Sequence, residues 1–230
     1  MRPLGNTLIT GGASGLGAAV ARAVAEEGGR PLVVDRARPA EGLDYDYVCA
    51  DIADRAEAED AVQRSADRAG GLHAVVNAAG IDACGPLDKV DADDWERVVK
   101  VNLIGTASVV RAALPHLEAS RGTVVDCAST LGTRAVPDAT AYCASKAGVM
   151  GFTRALAAET AGRIGVTLLV PGGMDTAFFD DRPEAYRPGP DARLNQPEHV
   201  ARAVVFALAQ PPGCEVRELV VCPSQETSWP

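Results

Sequence analysis

The stretch Leu8-Ile-Thr-Gly-Gly-Ala-Ser-Gly-Leu-Gly17 sets the architecture of this chain. It starts as a short apolar extended run and breaks into a turn in which Gly11, Gly15 and Gly17 are spaced G-x-x-x-G-x-G. From Gly15 to Glu27, Leu16, Val20, Ala23 and Val24 recur at helical spacing, so the turn joins a strand to a helix. Such a turn calls for positive φ angles and for backbone that carries no Cβ. The helix start behind it offers free N–H groups and the positive end of a dipole, a natural seat for phosphate. Eighteen residues beyond Gly17, the apolar run Pro31–Val34 ends in Asp35, placed to accept hydrogen bonds from ribose hydroxyls. Strand, glycine turn, helix, strand and terminal acid in that order point to a dinucleotide.

Outward from this unit the same alternation continues. Strand-like runs recur at Thr7–Thr10, Leu32–Asp35, Tyr47–Ala50, His73–Asn77, Thr123–Cys127, Val166–Val170 and Glu218–Cys222. Helical stretches lie between most of them, at Gly15–Glu27, Asp54–Ala69, Asp93–Ala119, Ala141–Arg163 and Pro197–Ala209. The pattern predicts an α/β protein, a single-domain Rossmann-type doubly wound parallel sheet of about seven strands with helices on both faces. One domain is expected over 1–230. The stretch 175–195, with Pro183, Pro188, Pro190, Phe178, Phe179 and Tyr186, is irregular and long enough to serve as a substrate lid.

Composition narrows the function. A net charge of −9 argues against nucleic acid, which calls for a basic face. No apolar run is read as approaching the roughly twenty residues of a membrane span, and no signal-type segment is expected, so the reading is cytoplasmic with no membrane partner. Six cysteines without a C-x-x-C pair read as reduced, mostly buried thiols, and no metal site is expected from them or from the scattered histidines 73, 116 and 199. Nineteen arginines stand against three lysines, Lys89, Lys100 and Lys146. Lys146 therefore marks a place where a compact ammonium is wanted and a planar guanidinium is not.

Lys146 follows Tyr142 by four residues, on one face of a predicted helix, and Ser129 precedes Tyr142 by thirteen. A phenol with an ordinary pKa of about 10 is a poor base at neutral pH, and a neighbouring ammonium favours its phenolate. Ser129 closes the run Thr123–Ser129, where a hydroxyl can bond a substrate oxygen. The set can move a proton beside a bound dinucleotide.

Taken together these segments resemble the short-chain dehydrogenase/reductase family over nearly the whole chain. The turn Thr10–Gly17, with Ser14 and Leu16, resembles the family's cofactor motif. Asp51 in Ala50-Asp-Ile52 resembles its adenine-contacting acid, and Asn77-Ala78-Ala-Gly80 its strand-end motif. Asn102, Ser129, Tyr142 and Lys146 match its catalytic tetrad, and Pro171-Gly172 through Thr176 the segment around the nicotinamide. The resemblance implies hydride transfer between a secondary alcohol or ketone and a nicotinamide cofactor. Tyr142 would exchange the alcohol proton and Ser129 would hold the substrate oxygen. Lys146 would lower the tyrosine pKa and bind the cofactor ribose, and Asn102 would position a water. A homodimer or homotetramer is also implied, paired through the Tyr142 helix and the one before it, with Glu226–Pro230 in a subunit contact or mobile.

NAD is favoured over NADP because a carboxylate at Asp35 repels a 2′-phosphate and Ser14 supplies no base, although Arg36 could reach such a phosphate. Leu131, Met174, Phe178 and Phe179 are the candidate apolar wall for a small-molecule alcohol or ketone, with Val136 and Cys84 as possible additions. Arg134 could hold a carboxylate or simply lie on the surface. Two other functions stay open, a non-catalytic NAD-binding redox sensor and a hydride-borrowing epimerase. An intact Asn-Ser-Tyr-Lys set counts against the sensor.

Overall fold

The computed structural model describes residues 2–39 and 45–229. The strands are β1 (Asn6–Thr10), β2 (Arg30–Asp35), β3 (Asp46–Cys49), β4 (Ala74–Asn77), β5 (Thr123–Cys127), β6 (Gly165–Pro171) and β7 (Glu218–Val221). Among the described residues they form one seven-stranded sheet in the order β3-β2-β1-β4-β5-β6-β7, every pairing parallel. The helices are α1 (Gly15–Glu26), α2 (Arg55–Ala69), α3 (Ala92–Val99), α4 (Thr106–Ser120), α5 (Thr140–Glu159) and α6 (Pro197–Leu208).

Strand residues alternate between two cores, as the two-residue period of a strand requires. Ile9, Val33, Val76, Val125 and Leu169 pack on one face with α1 and α6. Leu8, Leu32, Val75, Val124 and Val166 pack on the other, with α2 and α4. Burial on both faces accounts for the unbroken apolar strands, and the α/β expectation holds. The chain winds outward from β1 to β3, returns to β4 beside β1, and then winds the other way. Ligand crevices in such sheets open beyond the carboxyl ends of the strands at this reversal, so the fold locates the site before any side chain is considered.

The helix read as Asp93–Ala119 runs from Ala92 to Ser120, but its middle, Lys100–Gly105, is π-helical. Such widened turns tend to occur at functional sites, and this one carries Asn102. The expectation about apolar runs is corrected here. This 29-residue helix contains an 18-residue window of mean hydropathy 1.3, enough by length and composition to cross a membrane, and half of that window is buried. Scattered polar residues hide such a window from a search for uninterrupted apolar runs. Its burial against α2, β4 and β5 accounts for the apolar content. The cysteines also differ from expectation, since only Cys143 is buried while Cys49 and Cys214 are exposed. Cys49 ends the edge strand β3, where alternation turns its side chain outward.

Candidate active site

The glycine turn behaves as its spacing requires. Gly11 has φ +70 and Gly15 φ +51, both in the region that disfavours a side chain. Gly17 is helical and glycine for another reason, because a Cβ there would overlap the carbonyl oxygen of Gly11. A Cβ on Gly11 would lie 2.7 Å from the Ala79 Cα, so the ends of β1 and β4 approach backbone to backbone. Ser14, the extended N-cap of α1, makes no side-chain cap hydrogen bond, leaving the first N–H groups of that helix free to donate.

At the end of β2 the Asp35 carboxylate is fixed by two backbone donors, Ala13 N to Oδ2 at 3.0 Å and Ala37 N to Oδ1 at 3.0 Å. Asp51 accepts from Arg97 at 2.7 Å and from Ala53 N at 3.0 Å. Burial alone would push its carboxyl up, but these bonds and the Arg97 charge hold it below the ordinary range.

Across the cleft, Ser129 lies just past β5, and Tyr142 and Lys146 project from the first turns of α5. Ser129 Oγ accepts from Leu131 N at 3.1 Å. Lys146 Nζ donates to the Cys127 carbonyl at 2.8 Å and lies 5.7 Å from the centroid of the Tyr142 ring. Burial pushes the Tyr142 phenol well above its ordinary pKa; Cys127 and Asp82 add to the rise, and Ser129 and Arg182 oppose it. The net direction is upward, opposite to the lowering expected from this ammonium. Desolvation of the phenol outweighs that effect, and burial lowers the Lys146 pKa as well.

Two predicted residues lie beneath the cleft instead of lining it. Asn77 Nδ2 donates to Asp126 Oδ1 at 2.9 Å, and Thr153 Oγ1 lies 3.0 Å from Asp126 Oδ2, a buried tie between β4, β5 and α5. Desolvation pushes the Asp126 carboxyl up to about 6, with Asn77, Thr153 and Lys146 pulling the other way. Asn102 clasps the backbone of Ile81, accepting from its N at 2.8 Å and donating to its O at 2.9 Å, and also donates to Ser145 Oγ at 3.0 Å. Its side chain thus fixes the strand-end loop that follows Gly80.

Two segments close the other side. In 175–195, Phe178 packs against Tyr142 with ring centroids 5.7 Å apart, and Arg182 covers both Phe178 and Phe179 at 5.0 and 4.7 Å. Arg182 Nη2 donates to the buried carboxylate of Asp82 at 2.7 Å. The tail, read from the sequence as a subunit contact or as mobile, packs on the body of its own chain. Residues through Trp229 fold back over the cleft, and Trp229 packs on the cluster of Ala128, Val149, Met150, Leu168 and Val170. Pro230 lies outside the described residues.

The profile of the short chain dehydrogenases matches residues 6–187. This chain belongs to that family. A 3-oxoacyl-[acyl-carrier-protein] reductase of Thermotoga maritima is 34% identical over 216 residues, covering 86% of this chain and 88% of the relative. An uncharacterized oxidoreductase of Staphylococcus aureus is 33% identical over 226 residues, covering 94% and 96%. Among solved structures, ligand-free aldohexose dehydrogenase of Thermoplasma acidophilum superposes with a TM-score of 0.84 at 25% identity, covering 95% of this chain and 92% of that one. The short-chain dehydrogenase described here is accordingly a nicotinamide-dependent oxidoreductase.

Its residues suit such a cofactor, with a turn kept free of side chains, uncapped N–H groups and a fixed acid along one cavity of about 910 Å³. That cavity brings together Gly11, Ser14–Gly17, Asp35, Arg36, Asp51, Ile52, Ala78, Gly80, Ser129, Tyr142, Lys146, Pro171, Gly172 and Thr176. The expected apolar wall, Leu131, Met174, Phe178 and Phe179, lines it too, while Val136 and Cys84 do not. Arg134 points to the tail, donating to Thr227 O at 2.8 Å. Sequence reading missed Arg182, Leu194 and the tail residues Gln225–Ser228 of this short-chain dehydrogenase. A lone arginine and an unpatterned terminus carry no periodic signal. The signal that was available is Trp229, an aromatic in a chain only 4% aromatic, which calls for burial.

Proposed function

We propose that this protein transfers a hydride between a nicotinamide cofactor, NAD in preference to NADP, and a secondary alcohol or its ketone, with Tyr142 as the acid and base. The observation that carries this reading is the convergence of Ser129, Tyr142 and Lys146 on the cavity that also holds the glycine turn and Asp35. A bound nicotinamide supplies or accepts the hydride. Ser129 presents a hydroxyl to the substrate oxygen and stabilises charge that develops there. Tyr142, held protonated by burial, is ready to give its proton to a ketone oxygen, and takes it back in alcohol oxidation. Lys146 offers a fixed cation beside the phenol, aimed by the Cys127 carbonyl. Phe178 excludes water from the reacting side as part of a lid at 175–195. The preference for NAD rests on the Asp35 carboxylate, immobilised where a 2′-phosphate would crowd it. The substrate is a small molecule, the assembly a homodimer or homotetramer, and the setting cytoplasmic.

The test is NADH formation against a panel of secondary alcohols and hydroxy acids, with NAD and NADP in parallel. Tyr142→Phe is expected to lower kcat by about a thousandfold while the Kd for NAD stays within about twofold. Unchanged kcat in that variant removes Tyr142 from the mechanism. A tenfold or greater kcat/KM advantage for NADP reverses the cofactor assignment.

A further inference from the structure

The tail connects the loop after β6 to the loop after β5. The Glu226 carboxylate accepts from Gly173 N at 3.0 Å through Oε2, and from Ser228 N at 3.0 Å and Ser228 Oγ at 2.7 Å through Oε1. Ser228 Oγ also lies 2.7 Å from Thr130 Oγ1, next to Ser129. Since the single Ser228 proton goes to the carboxylate, the Thr130 hydroxyl is the donor in that contact. Arg134, just beyond Ser129, holds the Thr227 carbonyl at 2.8 Å. A Cβ on Gly172 would overlap Glu226 Oε2, so glycine and carboxylate fit one another. Burial alone would push the Glu226 carboxyl up, but the bonds from Ser228, Gly173 and Thr227 bring it below the ordinary range, as an ionised acceptor requires.

We propose that Glu226 is a positioning residue: through Gly173 on one side and Ser228 and Thr130 on the other, it locks the loop after β6 to the Ser129 loop and so shapes the nicotinamide end of the cleft. The proposal rests on the cofactor reading above. Packing of Trp229 alone would hold the tail down, but it would not require a carboxylate that bonds Gly173 through one oxygen and, through the other, the Ser228 that meets Thr130. A neutral amide cannot replace it, because its NH2 group would face an N–H donor on one side. Among the described residues, the hydrogen bonds of the Glu226 carboxylate go to Gly173 and the tail, and none joins it to the adenosine end at Gly11–Gly17 and Asp35.

Glu226→Gln and Glu226→Ala are titrated with NADH, followed by nicotinamide fluorescence, and with ADP-ribose, which lacks the nicotinamide, followed by calorimetry. In Glu226→Ala, NADH affinity is expected to fall about tenfold while ADP-ribose affinity stays within about twofold. The Gln variant, of nearly equal volume, is expected to fall part of the way in the same pattern. Equal losses for both ligands, or no loss for either, overturn the proposal, because the tail then acts as general packing or not at all. Failure of the unaltered protein to bind ADP-ribose is a different result; it overturns the cofactor reading and takes this proposal with it.

Discussion

The two ends of the cleft are made of different material. At the proposed adenosine end the decisive atoms are backbone: three glycines, uncapped N–H groups of α1, and an Asp35 held by two main-chain donors. At the proposed reacting end they are side chains drawn from five separated stretches, around Ser129, Tyr142, Gly172, Phe178 and Glu226, that line one cavity. The first kind of site tolerates almost nothing at a few positions and is indifferent elsewhere. The second kind spreads its tolerance over many positions, each supported by a neighbour. The contrast suggests that one end is fixed by the fold itself, while the other is free to vary in what it accepts.

The sharpest attack on this contrast is Gly17→Val. With no room beside the Gly11 carbonyl, the turn must deform, and NAD affinity is expected to fall at least about a hundredfold. Calorimetry with NAD and ADP-ribose reads it, and the two losses should match because the damage lies at the adenosine end. A loss confined to NAD would contradict the division.

Next in size is Asp126→Asn, beneath both ends. A carboxyl with a folded pKa of about 6, raised from 3.8, binds its proton more tightly folded than unfolded. Its contribution to stability is therefore full below about pH 4 and declines as pH rises through about 6. The asparagine variant keeps the Asn77 bond, and its amide can donate to the Thr153 hydroxyl. It is expected to lose that decline, gaining on the order of 2 kcal/mol at pH 7.5 relative to its effect at pH 4. Urea unfolding at the two pH values decides, and a parallel shift at both would show the carboxyl does not titrate as described.

Asp82→Ala tests whether side chains hold the reacting end closed. It strands the Arg182 guanidinium, which cannot shed its proton, but the irregular segment can lift to rehydrate it. Amide exchange across Ala177–Tyr186 is expected to quicken about tenfold, with little change in the exchange of β1 or β4. Uniform quickening would mean that the segment and the sheet open together. The smallest effect belongs to Asp35→Ala, expected to shift the NADP-to-NAD ratio of kcat/KM upward about fivefold, since the carboxylate is only partly buried. A ratio that does not move would assign the selectivity to another residue.

The same contrast explains what the sequence disclosed. The glycine turn, the parallel sheet implied by alternation, and Tyr142 with Lys146 are local patterns, and each is found at the place its spacing dictates. Asn77 and Asn102 match the family's motif by position, yet their side chains hold Asp126 and the Ile81 backbone from below. A motif records which residues are needed without saying whether they touch the ligand or its supports. Arg182 pairs with Asp82, 100 residues away, and Glu226 with Gly173, 53 residues away, and only the tertiary structure shows these as partners. The Tyr142 pKa was misjudged for a related reason: burial is a property of the whole packed cleft, whereas the neighbouring lysine is visible in four letters.

The scarcity of lysine also has a practical side. Lys89 and Lys100 are exposed and paired only with surface carboxylates, while Lys146 is 4% exposed and held by a carbonyl. Acylating reagents or amine-coupled surfaces should therefore attach on the two outer lysines and spare the cleft. Among the side-chain amines, Lys146 then serves as a built-in chemical reporter, silent while the cleft is shut and labelled when the cleft opens.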